Sequence, residues 1–161
     1  MSLKNSVFLL FAIIAMISCD KKRVFDEYKS VGREWHKDSI ITFALPEIDS
    51  VKNYNLFVNI RNNNDYEFNN LFLIVALDLP NGVTNVDTLE YMMAAPDGTL
   101  LGEGFSDYKV NKLFFKENVT FKPSGKYEVR IEQAVRQNGK VTGVETLKGI
   151  SEVGFRIEST E

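Results

Sequence analysis

From residue 34 onward, apolar side chains recur with a period of two in short runs separated by turn-forming clusters. The run 126–135 is the clearest: Tyr127, Val129 and Ile131 fall on one side and Lys126, Glu128, Arg130 and Glu132 on the other, the signature of a strand with one face in a core and one in water. Residues 55–60 repeat the pattern with Leu56, Val58 and Ile60 on one face. The run 71–79 is almost continuously apolar and predicts the most buried strand. Further strands are expected over 39–45, where Pro46 closes the run, over 86–93, and over 150–157. Gly102 and Gly104 make 99–105 a bulged strand, and 110–115 and 118–121 read as two segments with a break between them.

The punctuation is that of tight β-connections. An asparagine-rich stretch at 61–65, Pro80-Asn81-Gly82, Ala95-Pro96-Asp97-Gly98, Pro123-Ser124-Gly125 and Asn138-Gly139 separate the runs. Proline presets one turn dihedral in such sequences, and glycine or asparagine takes the left-handed position. About eight antiparallel strands with no long helical period predict an all-β fold, an antiparallel β-sandwich that is jelly-roll-like.

The N-terminus breaks this pattern. Lys4 precedes eleven unbroken apolar residues, 7–17, followed by Ser18-Cys19-Asp20, the charged and apolar regions of an export signal. As a helix the run would reach roughly 16 Å, about half of a ~30 Å hydrocarbon core, too short for a permanent span. Met16-Ile17-Ser18-Cys19 has the form of a loose lipobox, in which the thiol is alkylated with diacylglycerol and the chain is cut ahead of Cys19. Residues 1–18 are thus expected to be a lipoprotein signal peptide, 19–33 the lipidated cysteine and a polar linker, and 34–161 the sandwich domain. Stable anchoring takes more than one acyl chain, which a full lipobox modification supplies. In the linker Lys21-Lys22-Arg23 could meet anionic head groups, and the reading as a solvated tether is preferred.

Composition narrows the function. Removal of 1–18 takes away Lys4, so the formal charge falls from −3 to −4, which argues against nucleic acid as a partner. With Cys19 modified the folded part has no cysteine, so disulfides and thiol chemistry are excluded from it. The single histidine, His36, cannot furnish a histidine-based zinc site, and no acidic spacing matches a calcium loop. Glu103 and Asp107 form no recognisable catalytic pair, Gly102-Glu103-Gly104 is not a phosphate loop, and no nucleophile elbow occurs. The chain is therefore expected to be a non-enzyme with no catalytic residue, no metal and no cofactor. Asp38-Ser39-Ile40, Asp49-Ser50-Val51 and Asp87-Thr88-Leu89 have the Asp, hydroxyl, apolar form of the O-glycosylation acceptor of Bacteroidota, making Ser39, Ser50 and Thr88 candidates; turn-favouring residues ahead of strands read the same way.

Several local sequences together carry a family resemblance. The lipobox cysteine, Trp35-His36-Lys37-Asp38, Ala95-Pro96-Asp97-Gly98 with Gly102-Glu103-Gly104-Phe105-Ser106-Asp107, Phe121-Lys122-Pro123-Ser124-Gly125-Lys126-Tyr127 and Val153-Gly154-Phe155-Arg156-Ile157-Glu158 resemble the gliding-motility lipoproteins of the GldH type over nearly the whole chain. The resemblance implies a lipid-anchored protein of the cell envelope of Bacteroidota, favouring the outer membrane. It also implies association with the gliding machinery, which moves surface adhesins and is linked to type IX secretion, and so with other envelope proteins of that apparatus. Cys19 is the one residue whose role it carries over. The alternative is a glycan-binding sandwich lipoprotein of an outer-membrane uptake system, using Trp35, Tyr91 or Tyr108 as an exposed aromatic platform.

Overall fold

The structure is a computed structural model and describes residues 20–161. The proposed signal peptide and Cys19 lie outside the described residues. Ten strands follow in chain order: β1 (Arg23–Ser30), β2 (Glu34–His36), β3 (Ile41–Ala44), β4 (Tyr54–Asn62), β5 (Asn70–Asp78), β6 (Thr84–Met92), β7 (Lys109–Val119), β8 (Glu128–Gln133), β9 (Thr146–Lys148) and β10 (Ile150–Ser159).

Two four-stranded antiparallel sheets, β1-β10-β4-β7 and β3-β8-β5-β6, enclose the core, and β2 pairs with β9 apart from both. The pairing follows one rule. β1 pairs with β10, β2 with β9, β3 with β8, β4 with β7 and β5 with β6, all antiparallel. The chain is thus one long double-stranded ribbon, doubled back at the β5–β6 connection and wrapped into a sandwich, the arrangement of a jelly roll. The short β2–β9 pair lies at the first of the three places where the ribbon crosses from one sheet to the other, between β1–β10 and β3–β8.

The alternation read from sequence sets the inner faces. Leu56, Val58 and Ile60 from β4, Leu71, Leu73 and Val75 from β5, Val129 and Ile131 from β8, and Val153, Phe155 and Ile157 from β10 are all buried. Phe155 joins the sheets, its ring 6.3 Å from Phe43 of β3 and 6.4 Å from Phe115 of β7. Three turns close as their sequences require. Gly82 donates its N–H to Leu79 O at 3.0 Å, Gly98 to Ala95 O at 2.9 Å and Lys140 to Gln137 O at 3.0 Å.

Four expectations need correction. The segment 20–33, read as a linker, is mostly structured from Arg23 onward, because Phe25 reaches the edge of the core, 6.5 Å from Phe43. The expected strand over 99–105 is a loop pinned by isolated bridges between Ala94 and Leu100 and between Glu103 and Val110. Gly102, Gly104 and Ser106 all take positive φ there, which ladder pairing does not tolerate. The break between 115 and 118 is absent: β7 is continuous and absorbs extra residues as bulges opposite Tyr54, Leu56 and Phe57, with Asn118 at φ 53°. Finally, Trp35 is fully buried in β2 rather than exposed.

Candidate functional site

The outer face of the sheet formed by β1, β10, β4 and β7 carries the densest polar chemistry. Because inner positions of β10 are Val153, Phe155 and Ile157, strand alternation turns Glu152, Arg156 and Glu158 outward. Arg156 has only 14% of its side chain exposed and meets three carboxylates: Asp26 of β1 at 2.7 Å, Glu158 at 2.6 Å, and Asp20 ahead of β1. Lys112 of β7 binds the same Glu158 at 2.6 Å, and Asn59 of β4 donates to Asp26 at 3.3 Å. The cluster therefore ties all four strands of the sheet together from outside.

A second group stands beside it. Arg61 of β4 pairs with Glu152 and lies 4.1 Å over the Tyr28 ring of β1. Gly154 makes that stacking possible, since a Cβ there would come within 2.9 Å of the Tyr28 ring. Burial works against the charge on Arg156, and the hydrogen bonds it donates to Asp20, Glu158 and Asp26 outweigh it, so the guanidinium stays charged more firmly than usual. Burial likewise opposes ionisation of Glu158, yet Lys112 and Arg156 hold its carboxyl below the ordinary range, and Arg156 does the same for Asp20. Such a network holds shape; every cation in it is committed to a carboxylate.

At the opposite end of the strands the loop 101–108 projects Phe105, 98% exposed, with Tyr108 also open to solvent. Its base is built firmly. Glu103 and Val110 exchange backbone hydrogen bonds at 2.9 and 2.8 Å, Lys109 donates to Gly104 O at 3.0 Å, and Asn64 donates to Asp107 at 2.9 Å. Gly102 lies against a buried side-chain pair in which Asn111 donates to Asn62 at 2.8 Å; a Cβ at 102 would stand 2.7 Å from Asn111 Oδ1.

The residues singled out from sequence do not converge. Cys19 lies outside the described residues. Ser39 and Thr88 are exposed and Ser50 is half-buried, on three separate segments. His36 is a half-exposed residue of β2 whose Nδ1 accepts from the Asp38 N–H at 3.2 Å. Among the described residues no group of three His, Cys, Asp or Glu side chains is placed to hold a metal ion. Of the proposed aromatic platform, Trp35 is removed by its burial. Tyr91 is half-buried, with its hydroxyl donating to Phe114 O at 2.6 Å and pushed up by burial to about 12, and Tyr108 alone is freely exposed. Arg156 and its partners were not anticipated as a group, because they come from residues 20, 26, 112 and 158; the outward alternation of β10 was the one available sign.

Comparison with known proteins supplies what the geometry does not. A family model described as GldH lipoprotein matches residues 23–157. The gliding motility lipoprotein GldH of Flavobacterium johnsoniae is 65% identical over 161 residues, spanning 100% of this chain and 100% of that protein. A gliding motility lipoprotein GldH homolog of Christiangramia forsetii is 57% identical over 157 residues, 97% of this chain and 96% of the other. Among solved structures, a family GH115 4-O-methyl-α-glucuronidase with specificity for decorated arabinogalactans aligns at a TM-score of 0.45 and 14% identity, over 89% of this chain and 18% of that one. At that level the likeness says nothing about activity.

Proposed function

The chain belongs to the GldH lipoprotein family, and from that membership we propose that it is a cell-envelope lipoprotein supporting gliding motility as a non-enzymatic assembly component. On this reading Cys19 carries the lipid, the outer membrane holds it, and its partners are other envelope proteins of the gliding and secretion apparatus. The observation that carries the proposal is full-length identity of 65% to a protein named for gliding motility, with neither chain overhanging the other. The ion network on the outer sheet face, with each cation paired to a carboxylate, supports the reading as a scaffold, because an enzyme keeps titratable groups poised for transfer.

Metabolic labelling with a palmitate analogue, comparing wild type with Cys19→Ala in fractionated membranes, tests the anchor, and colony spreading on agar tests the process. Wild type takes the label and stays with the membrane; the variant loses both, and its cells fail to spread. Spreading by a released, unlabelled variant would leave the anchor standing and remove the motility role. We also propose O-glycosylation at Ser39, Ser50 and Thr88, the first and last of which are exposed. Intact mass spectrometry of the mature protein from its natural source should read above polypeptide plus lipid, and a mass equal to that sum excludes the modification.

A further inference from the structure

We propose that the end of the sandwich at which the chain arrives from Cys19 rests directly on the bilayer. Lys21, Lys22 and Arg23 then face anionic phospholipid head groups, and the domain stands in one orientation with the loop 101–108 pointing away from the membrane. The inference rests on the lipid-anchor reading of Cys19 given above.

The argument is one of slack. A flexible linker of about eleven residues would let the domain wander roughly 20 Å from its anchor. Here the fold begins one peptide bond after Cys19. Asp20 is ion-paired to Arg156, the Arg23 N–H donates to Asp20 O at 3.3 Å, and the Ser159 N–H donates to Lys22 O at 2.8 Å. Arg23 is already paired with Glu158 in the sheet. A lipid on residue 19 therefore pulls on a chain that main-chain hydrogen bonds at Asp20 and Lys22 already tie to the domain.

The surface so presented is suited to a charged interface. Lys21, Lys22 and Arg23 are all exposed and, among the described residues, have no ion-pair partner. Lys122 and Lys126 are exposed on the 120–127 connection of the same end, and Lys52 answers Glu161 at 3.8 Å. Other acids of that end are Glu47 and Asp49 on the 45–53 connection, Glu117 near the end of β7, Glu128 at the start of β8, and Asp20 and Asp78, which are paired with Arg156 and Arg130; the unpaired cations at 21–23 stand beside the anchor. Basic side chains beside a lipid anchor are drawn to anionic head groups. The ten residues of β10 then carry the opposite end roughly 33 Å away at ~3.3 Å per residue. That end holds Phe105, Tyr108 and the 137–142 hairpin tip with Val141, 89% exposed.

The test uses the full lipidated chain in phosphatidylcholine vesicles containing phosphatidylglycerol, with a donor dye on Ser124→Cys at the membrane end or on Val141→Cys at the far end, and acceptors on lipid head groups. With Cys19 alkylated, each introduced thiol is unique. Energy transfer from position 124 should exceed that from 141 several-fold, and the contrast should shrink in vesicles of phosphatidylcholine alone. Equal transfer from both positions in membrane-bound protein overturns the seated orientation and leaves the anchor intact. An undiminished contrast without anionic lipid overturns the role given to Lys21, Lys22 and Arg23. Failure of the chain to stay on vesicles overturns the anchor reading and this proposal with it.

Discussion

Trp35→Ala costs the domain about 3–5 kcal/mol, the range for emptying a fully buried aromatic site. Trp35 has no exposed surface, sits opposite Leu147 in the β2–β9 pair and donates its indole N–H to Ser39 O at 2.9 Å. Truncation leaves both a cavity and an orphaned carbonyl, at the first point where the ribbon crosses between sheets. With only three residues on each side, β2 and β9 have little ladder to hold them once the side chain is gone. Chemical denaturation followed by circular dichroism reads the loss, and a midpoint shift worth under about 1 kcal/mol would mean the site collapses around the gap. Trp35→Phe should fall between, because the ring volume is mostly kept while the hydrogen bond is lost. One consequence concerns glycans: binding lost on Trp35→Ala would report unfolding, so a sugar platform has to be sought at Tyr108.

Arg156→Met is expected to cost about 2–3 kcal/mol at neutral pH, since removing one member of a largely desolvated ion cluster strands the charges it served. Asp26 and Glu158, with 17% and 14% of their side chains exposed, account for that loss, and the more open Asp20 adds little. The effect depends on pH with a definite sign. Glu158 and Asp20 are held below their ordinary values of 4.5 and 3.8, so their contribution is complete above those values and disappears as pH falls through the depressed folded-state range. Wild type therefore loses more than the variant on acidification, and the gap between the two should narrow below the ordinary carboxylate range. Lys112 keeps Glu158 partly paired in the variant, so the gap does not invert. Urea midpoints at neutral pH and in acid give the comparison, and a gap that is constant with pH would show that Arg156 acts through packing alone.

How much of this was legible in the sequence depends on how many residues each element had in which to show a period. β8 and β4 declared themselves because Tyr127, Val129 and Ile131, and Leu56, Val58 and Ile60, alternate cleanly with polar neighbours. β1 concealed itself. It is an edge strand whose inner side carries Phe25 but also Glu27 and Lys29, and Lys29 escapes burial by donating to Thr42 O at 2.6 Å. A charged strand at an edge resembles a tether until its partner is known. β2 and β9 are too short for any period, so the single apolar Trp35, followed by His36, Lys37 and Asp38, looked like a surface residue. The Arg156 cluster joins Arg156 to a carboxylate 136 positions away, which only strand register brings together. The lipobox needed no fold at all, being read as a linear signal.

The ribbon pairing has a consequence for how such a chain leaves the cytoplasm. Among the described residues the one ladder partner of β1 is β10, and β10 also separates β1 from β4. A chain threaded N-terminus first delivers β1 at the start and β10 at the very end, so the first strand across has nothing to pair with until almost the whole polypeptide has followed. Contacts this distant in sequence form slowly, because closing the loop between them must come first. The topology thus doubles as a delay: the sheet that receives the anchor is completed last, after the passage that demands an unfolded chain is over.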